Sequence, residues 1–276
     1  MKRWTGLTAT IAVGAILVTG LTAAAASPKL PNTITPKTAA AGPPTTSIPK
    51  LENVFRSVPS CRIADTRATG AGAIGAGTGR GFTVRGTTGF APQGGHSGGC
   101  GVPKAATAVV ADITVLGETG TGHLKGYPMA GTAGTGVLGY YTQGVTQVFE
   151  STLQLRGGGA EPSLALHAYD HGTQVIIDVL GYYVPQIEAL ISGTGTIYSG
   201  SPRVLSATAT SAGNVTVTID TDVTYCTPHA MSYYSGYYAT ASALSGNSVY
   251  VHTWYLDSTT HAQTPYSTYF YLTVTC

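Results

Sequence analysis

Beyond residue 26 no stretch of this chain repeats its apolar residues at helical spacing, while several runs alternate strictly, which confines the fold to β-structure. Between Ala108 and Val115, Val109, Ala111, Ile113 and Val115 share one face, as do Val175, Ile177 and Val179 between Thr173 and Tyr183. Period two, β-branched residues and glycine boundaries are the marks of strands. Both runs are apolar on their second face too (Val110; Ile176 and Leu180), which predicts central places in their sheets. Phe149 to Leu155 and Leu164 to Ala168 add two strands, the second ending in the turn Tyr169-Asp170-His171-Gly172. Further on, Val215, Val217 and Ile219 alternate with Thr216, Thr218 and Asp220. In the last strand Phe270, Leu272, Val274 and Cys276 share one parity and Tyr269, Tyr271, Thr273 and Thr275 the other, which places Cys276 on the apolar face. Short, evenly spaced strands with no helix between them predict an all-β protein: two β-sandwich-like domains in tandem, over 51–185 and 186–276.

The first fifty residues are of a different kind. Met1-Lys2-Arg3, the apolar stretch Leu7 to Leu21 and Ala24-Ala25-Ala26 before Ser27 fit a signal peptide over 1–26. The apolar stretch is short for a bilayer and broken by Gly14 and Gly20, so removal is expected, with no membrane span afterwards. Residues 27–50, dominated by proline, threonine and alanine, predict a disordered Pro/Thr-rich linker that holds a folded head away from a membrane or wall. The expected location is secreted, extracellular or cell-surface. Losing residues 1–26 takes two of fourteen basic residues and none of twelve acids, leaving a neutral chain. A neutral, charge-poor chain has no electrostatic footprint for nucleic acid or anionic lipid.

Four cysteines, Cys61, Cys100, Cys226 and Cys276, allow three disulfide connectivities. The sequential pairing, Cys61 with Cys100 and Cys226 with Cys276, is favoured because it closes one loop inside each expected domain.

Cys61-Arg-Ile-Ala-Asp-Thr-Arg67, Gly101-Val-Pro-Lys-Ala-Ala-Thr-Ala-Val-Val110 and Ile177-Asp-Val-Leu-Gly-Tyr-Tyr183 occur in that order. With them the first unit resembles a secreted bacterial β-domain, frequent in actinobacteria, built on R-[IL]-x-D-T-R, G-V-P-x-x-A-x-A-V-V and V-D-V-x-G-Y-Y. Gln154 stands where that family often has asparagine. Asn214 to Cys226 and Phe270 to Cys276 are similar to a second exported β-domain, of the Y-T-V-T-F-x-x-D-V-x-x-C type. The resemblance implies an exported, non-catalytic surface module of bacterial type.

Several strings invite chemical readings. Gly95-His-Ser-Gly-Gly99 matches the surroundings of a protease serine, but no histidine stands well upstream to serve as its base. It reads as a disulfide-bounded glycine loop. Gly70-Ala-Gly-Ala-Ile-Gly75 matches a dinucleotide fingerprint in form only, since no helix follows it, and reads as a turning loop. His167 and His171 fall on a strand and a turn, which separates the rings, so no metal is expected there. Asp220 and Asp222 offer two oxygens where calcium takes six to eight. Asp65, Arg67 and Asp178 lie in apolar surroundings of a charge-poor chain, and a structural ion pair is expected in which Arg67 meets Asp65 or Asp178 and pins the first strand to the last. The tyrosine pairs place one ring on each side of a strand. Tyr233, Tyr234, Tyr237, Tyr238, Tyr269 and Tyr271 are the candidate contact face.

The expectation is therefore a non-enzymatic secreted or cell-surface protein for adhesion, glycan contact or envelope structure. It has no expected catalytic residue, cofactor or metal, its partner is a surface glycan or protein, and its oligomeric state is open. Two alternatives stand beside it. One is an exported hydrolase acting on polysaccharide or peptide, which needs converging carboxylates or Ser97 beside a histidine. The other is a subunit of a surface filament or layer, which needs an exposed, uncharged edge strand.

Overall fold

A computed structural model of the chain describes residues 52–131 and 136–276, so the expected signal peptide and linker lie outside the described residues. Alternation along the chain becomes seventeen strands, and the only helical geometry among the described residues is three three-residue 3-10 turns. β1 (Asn53–Asp65), β2 (Thr78–Phe82), β3 (Ala108–Leu116), β4 (Gly122–Pro128), β5 (Gly139–Tyr141), β6 (Gln147–Gln154), β7 (Leu164–Tyr169) and β8 (Gln174–Pro185) make two sheets, in the orders β1-β8-β3-β6 and β2-β7-β4-β5. β9 (Ile187–Ile191), β10 (Ile197–Gly200), β11 (Val204–Ser211), β12 (Asn214–Ile219), β13 (Thr227–Ser232), β14 (Tyr237–Ala243), β15 (Ser248–Leu256), β16 (Gln263–Pro265) and β17 (Phe270–Thr275) make two more. Their orders are β10-β9-β17-β13 and β11-β12-β15-β14, with β16 added beside β15.

Every pairing between these strands is antiparallel, and the inward parities meet in two separate cores. Val109, Ala111, Ile113 and Val115 of β3 face Val175, Ile177 and Val179 of β8, and the other wall is Phe82, Leu124, Leu164 and Leu166. β3 and β8 are the two central strands of their sheet, as their doubly apolar faces predict. The second core joins Ile187 and Ile191 of β9, Phe270, Leu272 and Val274 of β17, and Val215, Val217, Val249 and Val251 of β12 and β15. At about 25 cal/mol per Å2 of apolar surface removed from water, such rows supply most of the driving force for stacking two sheets.

Cross-links and ion pairs hold the periphery. Cys61 is bonded to Cys100 and Cys226 to Cys276, with Cα atoms 5.6 and 4.3 Å apart. By loop-closure entropy, bridges spanning 39 and 50 residues each restrict the unfolded chain by about 4 kcal/mol. The parity of β17 holds through Val274 and then stops, because Cys276 lies beyond the strand and is exposed where an apolar face was expected.

The ion pair differs from expectation in one partner. Arg67 lies in the 3-10 turn Thr66–Ala68 after β1, half-exposed, and its guanidinium meets Asp65 at 2.9 and 2.6 Å. That contact is local and links no two strands. The arginine that ties β1 to β8 is Arg62, whose Nε and Nη2 donate to Asp178 at 3.0 and 3.1 Å across the register pair Arg62–Asp178. The physical reason is parity: Arg62 is opposite Asp178 in the ladder, whereas the chain has already left the sheet at Thr66.

Candidate functional site

The candidate tyrosines divide between surfaces. Tyr233, Tyr234, Tyr269 and Tyr271 gather with Tyr198 of β10 on the β10-β9-β17-β13 sheet. Within this group the rings meet edge-on or tilted, with interplanar angles of 84° for Tyr233–Tyr234 and 58° for Tyr198–Tyr269. The Tyr198 and Tyr269 hydroxyls share a hydrogen bond of 3.1 Å, and this bond, then burial, holds the Tyr269 phenol above its ordinary range. Rings packed against one another this way present edges, with Tyr271 still 43% exposed. Tyr237 packs instead against Tyr255 and Tyr266, and burial first, then Tyr266, pushes its phenol up.

Tyr238 belongs to a third group. On β15, Val249 and Val251 point into the core, so Tyr250, His252 and Trp254 point outward. On β14, Ala239 and Ala241 pack inward, so Tyr238, Thr240 and Ser242 point outward. Antiparallel register then sets Tyr238 beside Trp254, and Thr240 beside His252. The indole lies within 20° of the Tyr238 ring at 5.9 Å and within 19° of the His252 ring at 5.1 Å. Three near-parallel rings thus form one row.

A polar clamp sets the end of this row. Asn214 is opposite His252 in the β12–β15 ladder. Its amide nitrogen donates to Ser211 Oγ (2.6 Å) and to the Ala212 carbonyl (3.4 Å), which can only accept. The orientation of the amide follows, and Oδ1 receives the Tyr250 hydroxyl and His252 Nδ1, the latter at 2.6 Å. The proton of a neutral His252 ring is thereby fixed on Nδ1, and Nε2 is left as an acceptor without a hydrogen-bond partner among the described residues. The face continues through Thr216 and Thr218 of β12 and Ser206 and Thr208 of β11, all uncharged, and Pro265 of β16 is paired with Trp254 on its far side. Trp254, His252 and Asn214 were not among the residues expected from the sequence, although the alternation Val249-Tyr-Val-His-Thr-Trp254 carries the parity that aligns them.

The strings with catalytic form are occupied structurally. His96 donates from Nδ1 to the Gly99 carbonyl at 3.1 Å, within its own loop, and no hydrogen bond joins it to Ser97. The glycines of that loop are packing residues: a Cβ on Gly95 would overlap the Ile63 carbonyl, and one on Gly99 the Gly86 carbonyl. Between Gly70 and Gly81 there is no helix; Arg80 donates to the carbonyls of Ala71, Gly72 and Ala73 at 2.9, 2.6 and 2.9 Å, and Ile74 is buried. His171 donates to the Thr121 carbonyl at 2.8 Å while His167 stacks on Tyr169. Asp222 accepts from the Thr224 amide and hydroxyl at 2.9 and 2.6 Å, which lowers its pKa. Among the described residues no three His, Cys, Asp or Glu side chains converge as metal ligands do.

The edge strand β11 carries neither charge nor proline from Val204 to Ser211. Gly195, in the turn after β9, packs against the Ala207 carbonyl and Ala209 amide so closely that a Cβ there would fall 2.8 and 3.1 Å from them, while most of the strand's residues stay exposed. No protein-family model matches this chain, and no curated protein does.

Proposed function

We propose that this is a non-enzymatic secreted or cell-surface protein that contacts neutral glycan through the Tyr238–Trp254–His252 row, in adhesion or envelope structure. The observation that carries this reading is the row itself: near-parallel rings on an uncharged sheet face that continues through threonine and serine of β11 and β12. Sugar rings present flat C–H faces and a rim of hydroxyls. Aromatic faces take the first by stacking and the His252 Nε2 acceptor takes the second. With no charge at the surrounding positions, an uncharged polysaccharide loses no ionic hydration there. The disulfides and the likeness of both halves to exported surface modules support placement outside the cell.

The test is titration calorimetry of the full chain with cello-oligosaccharides and chito-oligosaccharides. Trp254→Ala is expected to weaken binding by about thirtyfold, the effect of truncating a central aromatic anchor. Tyr269→Ser and Tyr271→Ser are expected to leave it unchanged. Loss of binding in the Tyr269 and Tyr271 variants with retention in Trp254→Ala would move the site to the other sheet, and absence of binding to both series would remove the glycan reading.

A further inference from the structure

The outer face of the β2-β7-β4-β5 sheet holds a second ring cluster that the proposed function does not use. Leu124 of β4 and Leu164, Leu166 and Ala168 of β7 point into the core. His123, Lys125 and Tyr127 of β4 and His167 and Tyr169 of β7 therefore stand on the opposite face, with Tyr140 of β5 paired to His123. The Tyr169 ring lies parallel to His123 within 3° at 4.7 Å and to His167 within 16° at 4.2 Å. Tyr140 continues the row 5.7 Å from His123 and is 69% exposed.

Charge distinguishes this face from the Trp254 row. Lys125 is the cross-strand partner of His167, and its Nζ lies 5.0 Å over the Tyr169 ring with no hydrogen bond or ion pair to any described residue. His167 Nε2 is buried without a hydrogen-bond partner. Asp170, in the turn after β7, faces His123 Nδ1 at 3.2 Å. Beside His167 in the β2–β7 ladder stands Gly79, over which the Tyr127 hydroxyl and His167 Nδ1 close so tightly that a Cβ there would fall 3.3 and 3.4 Å from them.

We propose that this face is a binding site for an acidic sugar, a uronate unit of an anionic polysaccharide. The sugar ring lies against Tyr140, the exposed end of the stack, and its carboxylate takes Lys125 Nζ. A neutral sugar laid over the same rings would strip water from the Lys125 ammonium and return nothing for it, whereas a carboxylate repays that loss with a charge-assisted hydrogen bond. The site is independent of the Trp254 row and stands or falls separately from it.

The experiment titrates the full chain with oligogalacturonate and, in parallel, with neutral galactan oligosaccharides. Oligogalacturonate is expected to bind, to weaken as salt rises, and to lose at least tenfold in affinity in Lys125→Met and Lys125→Gln, while galactan binds the Trp254→Ala chain at least tenfold more weakly than oligogalacturonate does. Both substitutions sit on an open face and preserve the stem over Tyr169, and an unchanged near-ultraviolet circular dichroism spectrum verifies the fold. Trp254→Ala is expected to leave oligogalacturonate binding intact. The proposal is overturned if wild type does not bind oligogalacturonate, if both Lys125 variants bind it as wild type does, if galactan binds the Trp254→Ala chain as well as oligogalacturonate does, or if Trp254→Ala abolishes the acidic-sugar signal.

Discussion

Arg62 and Asp178 face each other across the β1–β8 ladder through two parallel hydrogen bonds, Nε to Oδ1 at 3.0 Å and Nη2 to Oδ2 at 3.1 Å. The fork geometry is the strong form of an ion pair, but the arginine side chain is 45% exposed, so water and salt screen it. A double-mutant cycle with Arg62→Ala and Asp178→Asn, read by urea denaturation, is expected to give a coupling of about 1 kcal/mol or less. A coupling above about 2 kcal/mol would show that this pair behaves as a buried one.

Arg85 is the opposite case. Its side chain is 2% exposed, and its donors reach Glu161 Oε1 at 2.7 Å and the carbonyls of Lys104, Ala106, Arg156 and Ala160 at 3.4, 3.1, 2.9 and 2.8 Å. Arg85→Met strips four carbonyls and one carboxylate of their partner at once. The expected loss is about 3–5 kcal/mol of unfolding free energy, and Arg85→Lys recovers little of it because one ammonium cannot span the set. An unfolding midpoint within experimental error of wild type would contradict this.

The glycine loop before Cys100 makes a selective prediction. Gly95→Ala drives a methyl into the Ile63 backbone and is expected to destabilise strongly, whereas Gly98→Ala meets only the flexible His96 ring at 3.5 Å and is expected to be nearly neutral. Thermal melts of the two variants under identical conditions decide it. Equal stability would mean that the loop does not dock on β1 as described.

Stability is expected to fall at both ends of the pH range. Tyr141 is fully buried, donates to the carbonyls of Tyr169 and His171, and is pushed up to about 12, by burial first and then by Asp170 and Glu118. A phenol raised in the folded state stabilises fully below its ordinary value near 10 and loses that contribution as pH rises to the folded value. The loss is roughly 3 kcal/mol across that window. Asp65 runs the other way: the Arg67 side chain first, opposed by burial and helped by the Arg67 amide, holds its carboxyl below the ordinary range. Its contribution is present above the ordinary aspartate pKa and is lost as pH falls through the lowered one. Chemical denaturation from pH 2 to 12 checks both signs, with Tyr141→Phe expected to flatten the alkaline limb and Asp65→Asn the acid limb.

Which parts of this could be read along the chain follows from the range of the forces. Alternation in Ala108–Val115 and Thr173–Tyr183 marks strands because a side chain's face is a property of its own strand. Two doubly apolar faces mark β3 and β8 as central for the same local reason. The pair Arg62–Asp178 was hidden, with Arg67 the expected partner, because choosing between arginines five residues apart requires knowing where β1 leaves the sheet. The tyrosine face was legible residue by residue but not as a surface. Six rings of similar sequence character part into an edge-packed group, the Tyr237 contact and the Tyr238–Trp254–His252 row, and the indole and imidazole enter only through the β14–β15 register.

The amino-acid sequence by itself determined that the described chain would be stacked β-sheets, since strands of apolar period two bury one face by packing sheet on sheet. Tertiary structure alone decided which outward side chains became neighbours. Strand order and register are set by hydrogen bonds between strands, and a one-residue shift in the β14–β15 ladder would have turned Trp254 away from Tyr238, as one in the β4–β7 ladder would have turned Lys125 away from His167.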